Sequence, residues 1–184
     1  NATDKLGINY LLASFHGDTN GMQTIPVLDA VTNFQAENCM QHWNLIFGLD
    51  ANVTRVKMSN CCYYADLIEA YKSKGLTSNW GDKPNVEDLC TTFNGRTVCQ
   101  SQLQKAVKSN EMKTKGNHHP KDWIVFSPDI FQVQSTNRDN EGDGGRHFVE
   151  KAIPTMNWPS DHASVLAELR MSAASKQTYP GLLD

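Results

Sequence analysis

The sequence predicts an α/β fold in which layers of strands are covered by helices. Short apolar runs suited to buried strands alternate with segments whose apolar residues recur at helical spacing. The 184 residues are 39% hydrophobic and 20% charged, which is an ordinary globular composition. A chain of this length buries roughly 70% of the surface that its unfolded form exposes. We therefore predict one domain over residues 1–184, with no need of a metal or disulfide to hold its core.

Turn-forming residues separate the predicted elements, as after Phe15, where His16 to Gly21 is rich in glycine, aspartate and asparagine. The segment 137–147, rich in acidic residues and glycine, is predicted to be an exposed loop, and the tail beyond Arg170 is predicted to fray. The predicted strands are Ile8 to Phe15, Trp43 to Leu49, Trp123 to Phe126 with Ile130 to Gln134 as its hairpin partner, and Ala163 to Leu169. The predicted helices are Thr24 to Ala36 with Thr24 as N-cap, Ala65 to Ser73, and Gln102 to Lys108.

Charge and hydropathy exclude two classes of protein. A formal net charge of −3 argues against electrostatic coating of nucleic acid, which needs many lysines and arginines on one face, although a small phosphate site is compatible with it. No apolar run approaches the roughly 20 residues of a transmembrane helix. The N-terminal residues are polar and do not resemble a signal peptide. The sequence therefore predicts no transmembrane segment.

The five cysteines form no Cys-x-x-Cys pair, so the spacing of a zinc finger or of a thioredoxin-type site is missing. The five cysteines could be free thiols or could form disulfides, and the sequence leaves both alternatives open. Sequons at Asn1 and Asn52 favour a secreted or lumenal location, but short sequons also arise by chance, and the compartment stays open.

Polar side chains follow or precede each predicted strand, where a scaffold collects functional groups from distant parts of a chain. Taken singly, each has a structural alternative: a turn, a helix cap or a hydrogen-bonded core histidine. These residues are His16 after the first strand, Asp50 and Asn52 after the second, Asp122 before the third, and Ser160, Asp161 and His162 before the last.

In this order the motifs resemble those of the endonuclease/exonuclease/phosphatase superfamily, with its DNase I-like fold. Phe47 to Asn52 is similar to the strand-ending Gly-Asp-x-Asn motif, with the glycine shifted in register. Lys121 to Ile124 is similar to the Asp-Tyr-Ile motif, with Trp in place of Tyr, and Ser14 to His16 resembles the histidine-ending strand of the phosphate site. Trp158 to Val165 matches the closing Ser-Asp-His motif.

The resemblance implies a four-layer sandwich of two mixed β-sheets flanked by helices, of which this chain is the C-terminal portion. The superfamily's first strands carry an Asn and a metal-binding Glu, and neither has a counterpart in this sequence. We therefore expect the missing N-terminal half of the same domain, or a partner chain, to lie against this one. The chain alone should expose an apolar face, because half of a two-sheet core cannot cover its own inner surface.

The resemblance also implies an Mg²⁺-dependent phosphoesterase, acting on nucleic acid, a phosphoinositide or a phospholipid head group. His162 and Asp122 would form a His-Asp pair, with His162 acting as base or as cationic clamp. Asp50 and Asn52 would orient water or polarise the phosphoryl group, His16 would donate to a phosphate oxygen, and Asp161 would be an Mg²⁺ ligand. The alternative is a non-catalytic binding or structural subunit that keeps the fold.

Two further segments carry weaker signals. Thr91 to Thr97 occupies the interval where superfamily members place a Thr-Phe step near the substrate. Gln100 to Lys121 is locally basic and could face a phosphorylated substrate, although a solvated face is the alternative. A metal site made by the adjacent pair His118 and His119 is disfavoured, because adjacent side chains seldom point to one ion.

Overall fold

The computed structural model describes residues 2–5, 7–38, 43–81, 84–94, 101–106, 117–140 and 152–171. Among these residues, none of the helices is long and apolar enough to span a membrane. The strands are β1 (Ala2–Thr3), β2 (Asn9–His16), β3 (Asn44–Asp50), β4 (Thr77–Ser78), β5 (Thr92–Asn94), β6 (Asn117–His119), β7 (Asp122–Phe126), β8 (Phe131–Asp139) and β9 (Ser164–Met171). The helices are α1 (Thr24–Glu37), α2 (Tyr64–Ser73), α3 (Ser101–Ala106) and a 3₁₀ helix (Val86–Leu89).

Five of the described strands form one mixed sheet in the order β1-β2-β3-β7-β4. β2 and β3 are parallel, and the other neighbours are antiparallel. The register pairs His16 with Asp50, and Asp50 in turn with Asp122. Residues directly opposite each other point to the same face of a sheet. Three of the predicted site residues therefore stand in one row at one end of the sheet.

Helices α1 and α2 cover one face of this sheet. Leu28 of α1 and Leu67 and Tyr71 of α2 are fully buried. They belong to one apolar cluster with alternate residues of the strands, because successive side chains of a strand point to opposite faces. The strand residues of this cluster are Leu11, Leu45, Phe47, Leu49, Trp123 and Val125.

The two-stranded sheet of β8 and β9 lies against the opposite face. Its strands pair antiparallel, with a bulge between Val133 and Ser135. Phe126, Ile130 and Phe131 form a second buried cluster. Apolar residues of both layers pack against it, namely Tyr10, Ile46 and Ile124 of the five-stranded sheet and Val133, Leu169 and Met171 of the two-stranded sheet. The helices, the five-stranded sheet and the two-stranded sheet give an α/β architecture with three stacked layers among the described residues.

The described residues leave part of this second face uncovered. Leu12 alternates onto the same face as Tyr10 yet is 55% exposed. An exposed leucine in the middle of a sheet face loses the stabilisation that burial gives, about 1.5–3 kcal/mol for a whole side chain. Leu12 is therefore a candidate for the apolar face that the sequence predicts for this chain, and that face stays a prediction.

Three details differ from the sequence predictions. The segment after Phe126 pairs with β9 and not with β7, because both edges of β7 are already occupied by β3 and β4. The predicted loop at 137–147 begins later, since β8 extends to Asp139 and Asn140 is fully buried. Thr24 is the first residue of α1 and does not cap it, because its hydroxyl donates to the Ala51 carbonyl at 2.7 Å. The remainder of that loop, residues 141–147, and the tail from 172 lie outside the described residues.

Candidate active site

The row of polar residues at the end of the sheet brings three side chains into contact distance. His16 Nε2 lies 3.4 Å from Asp50 Oδ2. The His16 side chain is 79% exposed, whereas the Asp50 side chain is only 15% exposed. Asp50 thus stands at the centre of the row, with His16 on one flank and Asp122 on the other.

His162 joins this row from the segment that precedes β9. Its Nδ1 lies 2.9 Å from Asp122 Oδ2, and its Nε2 lies 3.7 Å from Asp50 Oδ2. An ionised carboxylate only accepts hydrogen bonds, so Asp122 selects the form of the imidazole in which Nδ1 carries the proton. One ring therefore connects two carboxylates from neighbouring strands.

The backbone around His162 is fixed by its neighbours. Trp158 Nε1 donates to the His162 carbonyl at 2.7 Å, and the Ala163 amide donates to the Thr91 carbonyl at 2.7 Å. An antiparallel bridge also joins His162 to Thr92 at the start of β5. These contacts hold the imidazole over the end of the five-stranded sheet.

The electrostatics of the site follow from this crowding of two carboxylates and an imidazole. The hydrogen bond to Asp122 raises the pKa of His162 above 6.5, and the charges of Asp122, Asp50 and Asp161 add to this effect while burial opposes it. Burial, with the nearby Asp122 charge, raises the pKa of Asp50 above its ordinary value, although His162 counteracts this. A cation beside Asp50 would favour the ionised carboxylate and so oppose both effects.

A cleft of approximately 530 Å³ opens at this site. Its polar lining includes His16, Asp50 and Asp122, and Ala163 to Val165 close it on the β9 side. The site thus lies between the sheet and the strand that follows His162, and it is open to solvent.

Asn52 lies behind the row, and its side chain holds the backbone of the next loop. Its Nδ2 donates to the Gly17 carbonyl at 2.9 Å, and its backbone amide donates to Asp50 Oδ1 at 3.1 Å. The residue adopts a left-handed conformation with φ of 48°, which asparagine tolerates better than most residues. Asn52 is 6% exposed, so a glycan could not be attached there in this fold. The catalytic role predicted for Asn52 stays a prediction.

The turn that carries Asn52 packs tightly against the loop after β2. Gly21 has a φ of 67°, and a Cβ built there would lie 2.7 Å from the Ala51 carbonyl oxygen. Only glycine fits this close approach of two backbones. The close packing fixes the position of Asp50 relative to the end of β2.

The structure brings together a group of side chains that could hold a metal ion at this end of the sheet. Among the described residues at this end of the sheet, Asp50, Asp122 and His162 offer ligand atoms within 4.8 Å of one another. Asp161 is exposed and is not a member of this group. Two carboxylates fit a hard divalent ion such as Mg²⁺, and Asp50 is the better placed because Asp122 already accepts from His162. The role of Asp161 as an Mg²⁺ ligand stays a prediction.

Thr91 is a site residue whose contacts sequence reasoning missed. Its hydroxyl donates to Asp122 Oδ2 at 2.5 Å and accepts from the amides of Lys121 and Asp122, each at 3.2 Å. Thr91 is fully buried. The Thr91-Thr92-Phe93 step was the available signal, but only the fold shows that the first threonine faces Asp122.

Replacing Thr91 by Val is expected to lower the free energy of unfolding by about 1–3 kcal/mol, because the change leaves buried polar groups without their partner. Chemical denaturation of the variant measures this loss. Thr92→Val is the matched control, since the Thr92 hydroxyl makes a longer bond of 3.3 Å to the His119 carbonyl. Equal losses in the two variants would contradict the special position of Thr91.

Within the described residues of the basic segment, Lys121 acts on this site, because its charge lowers the pKa of Asp50. Lys105 is exposed on α3, and Lys108, Lys113 and Lys115 lie outside the described residues. Burial, with the charges of Lys121, His118 and Arg55, lowers the pKa of His119 to about 4, so this ring is neutral near pH 7. Its Nδ1 accepts from the Arg55 amide at 3.3 Å.

Comparison with known proteins gives structural similarity alone, since no family model and no curated protein matches the chain. The catalytic domain of human Nocturnin with a bound sulfate anion is similar, with 15% identity, a TM-score of 0.45, and coverage of 90% of this chain and 48% of that one. An endonuclease/exonuclease/phosphatase family protein from Bacteroides thetaiotaomicron has 19% identity, a TM-score of 0.45, and coverage of 90% and 52%. A mannosyl-6-phosphatase from the same organism has 19% identity, a TM-score of 0.44, and coverage of 89% and 52%.

This chain therefore spans about half the length of these similar structures. One of them carries the name of the superfamily that the sequence motifs resemble. At these identities the likeness concerns the fold, and the function has to be argued from the residues of the site.

Proposed function

We propose that this chain is the C-terminal part of a divalent-metal-dependent hydrolase of phosphoester bonds, of the endonuclease/exonuclease/phosphatase type. The observation that carries the proposal is the bridging imidazole of His162, which lies 2.9 Å from Asp122 Oδ2 and 3.7 Å from Asp50 Oδ2, two carboxylates that line an open cleft. Two carboxylates and an imidazole at such distances supply a proton acceptor, a cation and an ion-binding oxygen in one site.

The hydrolysis needs a water in line with the leaving oxygen and positive charge beside the phosphoryl oxygens. Asp122 accepts Nδ1–H, which leaves Nε2 of His162 on the side of Asp50. The neutral ring can take a proton from water at Nε2, and the protonated ring can donate to a phosphoryl oxygen. The hydrogen bond to Asp122 raises the pKa of His162 and so favours the protonated ring relative to a free imidazole, which is compatible with either role.

His16 and Asp50 complete the proposed site. The exposed imidazole of His16 is free to donate to a nonbridging phosphate oxygen from the side opposite His162. Asp50 would hold the Mg²⁺ ion, with Asp161 as a further oxygen ligand. When bound, such an ion supplies Lewis-acid stabilisation of the charge that develops on the phosphoryl group.

The uncovered apolar face indicates what completes the domain. Leu12 is exposed on the sheet face that β8 and β9 partly cover. We infer that the N-terminal half of the same domain, or a partner chain, packs there and brings the metal-binding Glu that this sequence lacks. The competing function, a non-catalytic binding subunit, would need the same face but no ion.

A substrate panel tests the proposal on the intact protein and on residues 1–184 alone. Plasmid DNA, RNA, inositol phosphates and sphingomyelin are each incubated with Mg²⁺ or with EDTA. We expect the intact protein to hydrolyse one class only with Mg²⁺, and residues 1–184 alone to be inactive. No hydrolysis of any of the four by the intact protein would favour the binding subunit.

The pH dependence of stability is expected to report the His162–Asp122 bond. Because the folded-state pKa of His162 is raised above 6.5, its contribution is fully present below pH 6.5 and is lost as pH rises through the folded-state pKa. The stability difference between wild type and His162→Gln should therefore shrink as pH rises from about 5.5 to 9. Urea denaturation across this range measures the difference, and a difference that grows with pH would contradict the assignment.

A further inference from the structure

A second group of side chains that could bind a metal ion lies outside the proposed active site. The 3₁₀ helix carries Glu87 and is followed directly by Cys90, and β6 carries His118. One ligand atom from each of these residues lies within 4.8 Å of the other two. Sequence spacing shows no zinc motif here, because the fold joins Glu87 and Cys90 to a histidine 28 residues beyond Cys90, 118 − 90 = 28.

Local structure explains why these side chains converge. At the end of the 3₁₀ helix the Cys90 amide donates to the Glu87 carbonyl at 3.4 Å, which holds the two residues close together. β6 pairs with β5 so that His118 is opposite Phe93, and the two rings stack with centroids 5.3 Å apart. Stacking fixes the plane of the imidazole and leaves its edge directed at Glu87.

The distance between His118 Nε2 and Glu87 Oε2 is 3.3 Å. Nitrogen and oxygen ligands about 2.0–2.1 Å from one tetrahedral ion lie about 3.3–3.4 Å apart. Direct N–H···O bonds are most often about 2.9–3.0 Å long. The separation therefore already matches two ligands of a shared ion, and a modest movement of the Cys90 thiol would complete the third.

The surroundings suit a transition metal and not Mg²⁺. Cys90 is fully buried and His118 is 2% exposed, and thiolate with imidazole is a ligand set for zinc. Glu87 lies at the rim, where Arg55 Nη1 holds its other oxygen at 2.6 Å and orients the carboxylate. The Cys90 thiolate and the Glu87 carboxylate would bring two negative charges to Zn²⁺, and Arg55 would add one positive charge beside the carboxylate.

We propose that Glu87, Cys90 and His118 bind one zinc ion, with a fourth position open toward the exposed side of Glu87. The ion would join the 3₁₀ helix to the paired strands β5 and β6. Thr91 follows Cys90 directly, and its hydroxyl donates to Asp122. The ion would therefore help to fix the backbone position of Thr91, and through it the Asp122 carboxylate. This site is additional to the proposed function, and its ligands are separate from Asp50, Asp122 and His162.

Cobalt binding tests the proposal on the intact, reduced protein. Co²⁺ replaces Zn²⁺ in such sites, and a thiolate ligand gives a charge-transfer band in the near ultraviolet that carboxylate and imidazole ligands do not give. We expect this band in the wild type, its displacement by one equivalent of Zn²⁺, and its loss in Cys90→Ser. Cys61→Ser is the matched control and should keep the band, and Asp122→Asn should keep it as well.

A second variant keeps the test decisive if Cys90→Ser does not fold. Glu87 is half-exposed, so Glu87→Gln should fold and lower the affinity for Zn²⁺ at least about tenfold. Zn²⁺ should also raise the Tm of the wild type more than that of this variant, because a ligand of the folded state stabilises it. Absence of the band in the wild type, its persistence in Cys90→Ser, or unchanged affinity in Glu87→Gln would overturn the proposal.

Discussion

Replacing Asp122 by Asn is expected to lower turnover by on the order of 10² or more while the fold stays intact. Asp122 Oδ2 accepts both His162 Nδ1–H, at 2.9 Å, and the Thr91 hydroxyl, at 2.5 Å. An amide keeps the size of the carboxylate, but its NH₂ group would face the N–H of His162 or the hydroxyl of Thr91, which are themselves donors. The neutral amide also no longer stabilises the protonated imidazole of His162. In serine proteases the corresponding change costs about 10⁴ in turnover.

The measurement is steady-state hydrolysis of the preferred substrate with saturating Mg²⁺, with thermal unfolding as the check on folding. Asp29→Asn is the matched control, because it makes the same chemical change at a surface ion pair with Lys74. The control should keep full turnover. Wild-type turnover in Asp122→Asn would remove the His-Asp pair from the mechanism.

Replacing Asp50 by Asn is expected to cost a similar factor, on the order of 10² or more in turnover. Asp50 is the central carboxylate of the row, and it is the one we assign to the ion. The variant should also need at least about tenfold more Mg²⁺ for half-maximal activity, because an amide oxygen is a weaker ligand. An Mg²⁺ titration of activity measures both effects.

The two aspartate variants are therefore expected to differ in their Mg²⁺ dependence. Asp122→Asn should lose turnover with only a small change in the Mg²⁺ requirement, whereas Asp50→Asn should change both quantities. A normal Mg²⁺ requirement in Asp50→Asn would assign the ion to other residues.

The sequence predicts most of the strands and helices that position the site, because polar turn-forming residues occur where each strand ends. It also predicts that His16, Asp50, Asp122 and His162 belong together, through motifs that resemble a known superfamily. The parallel pairing of β2 with β3 and the antiparallel pairing of β3 with β7 then bring the first three into one row.

Tertiary pairing accounts for what sequence reasoning missed. The alternating pattern after Phe126 predicts a hairpin with β7, but nothing local shows that β3 and β4 already occupy both edges of that strand. Thr91 and the group of Glu87, Cys90 and His118 are likewise assembled by the β5–β6 pairing, and no spacing along the chain announces them. Asn52 fits the motif, but its amide is directed at the Gly17 carbonyl.

The central claim is that Asp122 and His162 act as one unit in phosphoester hydrolysis, and a double-mutant cycle tests it most directly. Turnover with Mg²⁺ is measured in the intact protein for Asp122→Asn, for His162→Ala and for the combined variant. We expect each single change to cost on the order of 10² or more, and the combination to cost little beyond the larger single loss, because residues that act together are not additive. Losses that multiply fully in the combined variant would show that the two residues act independently and would contradict the account.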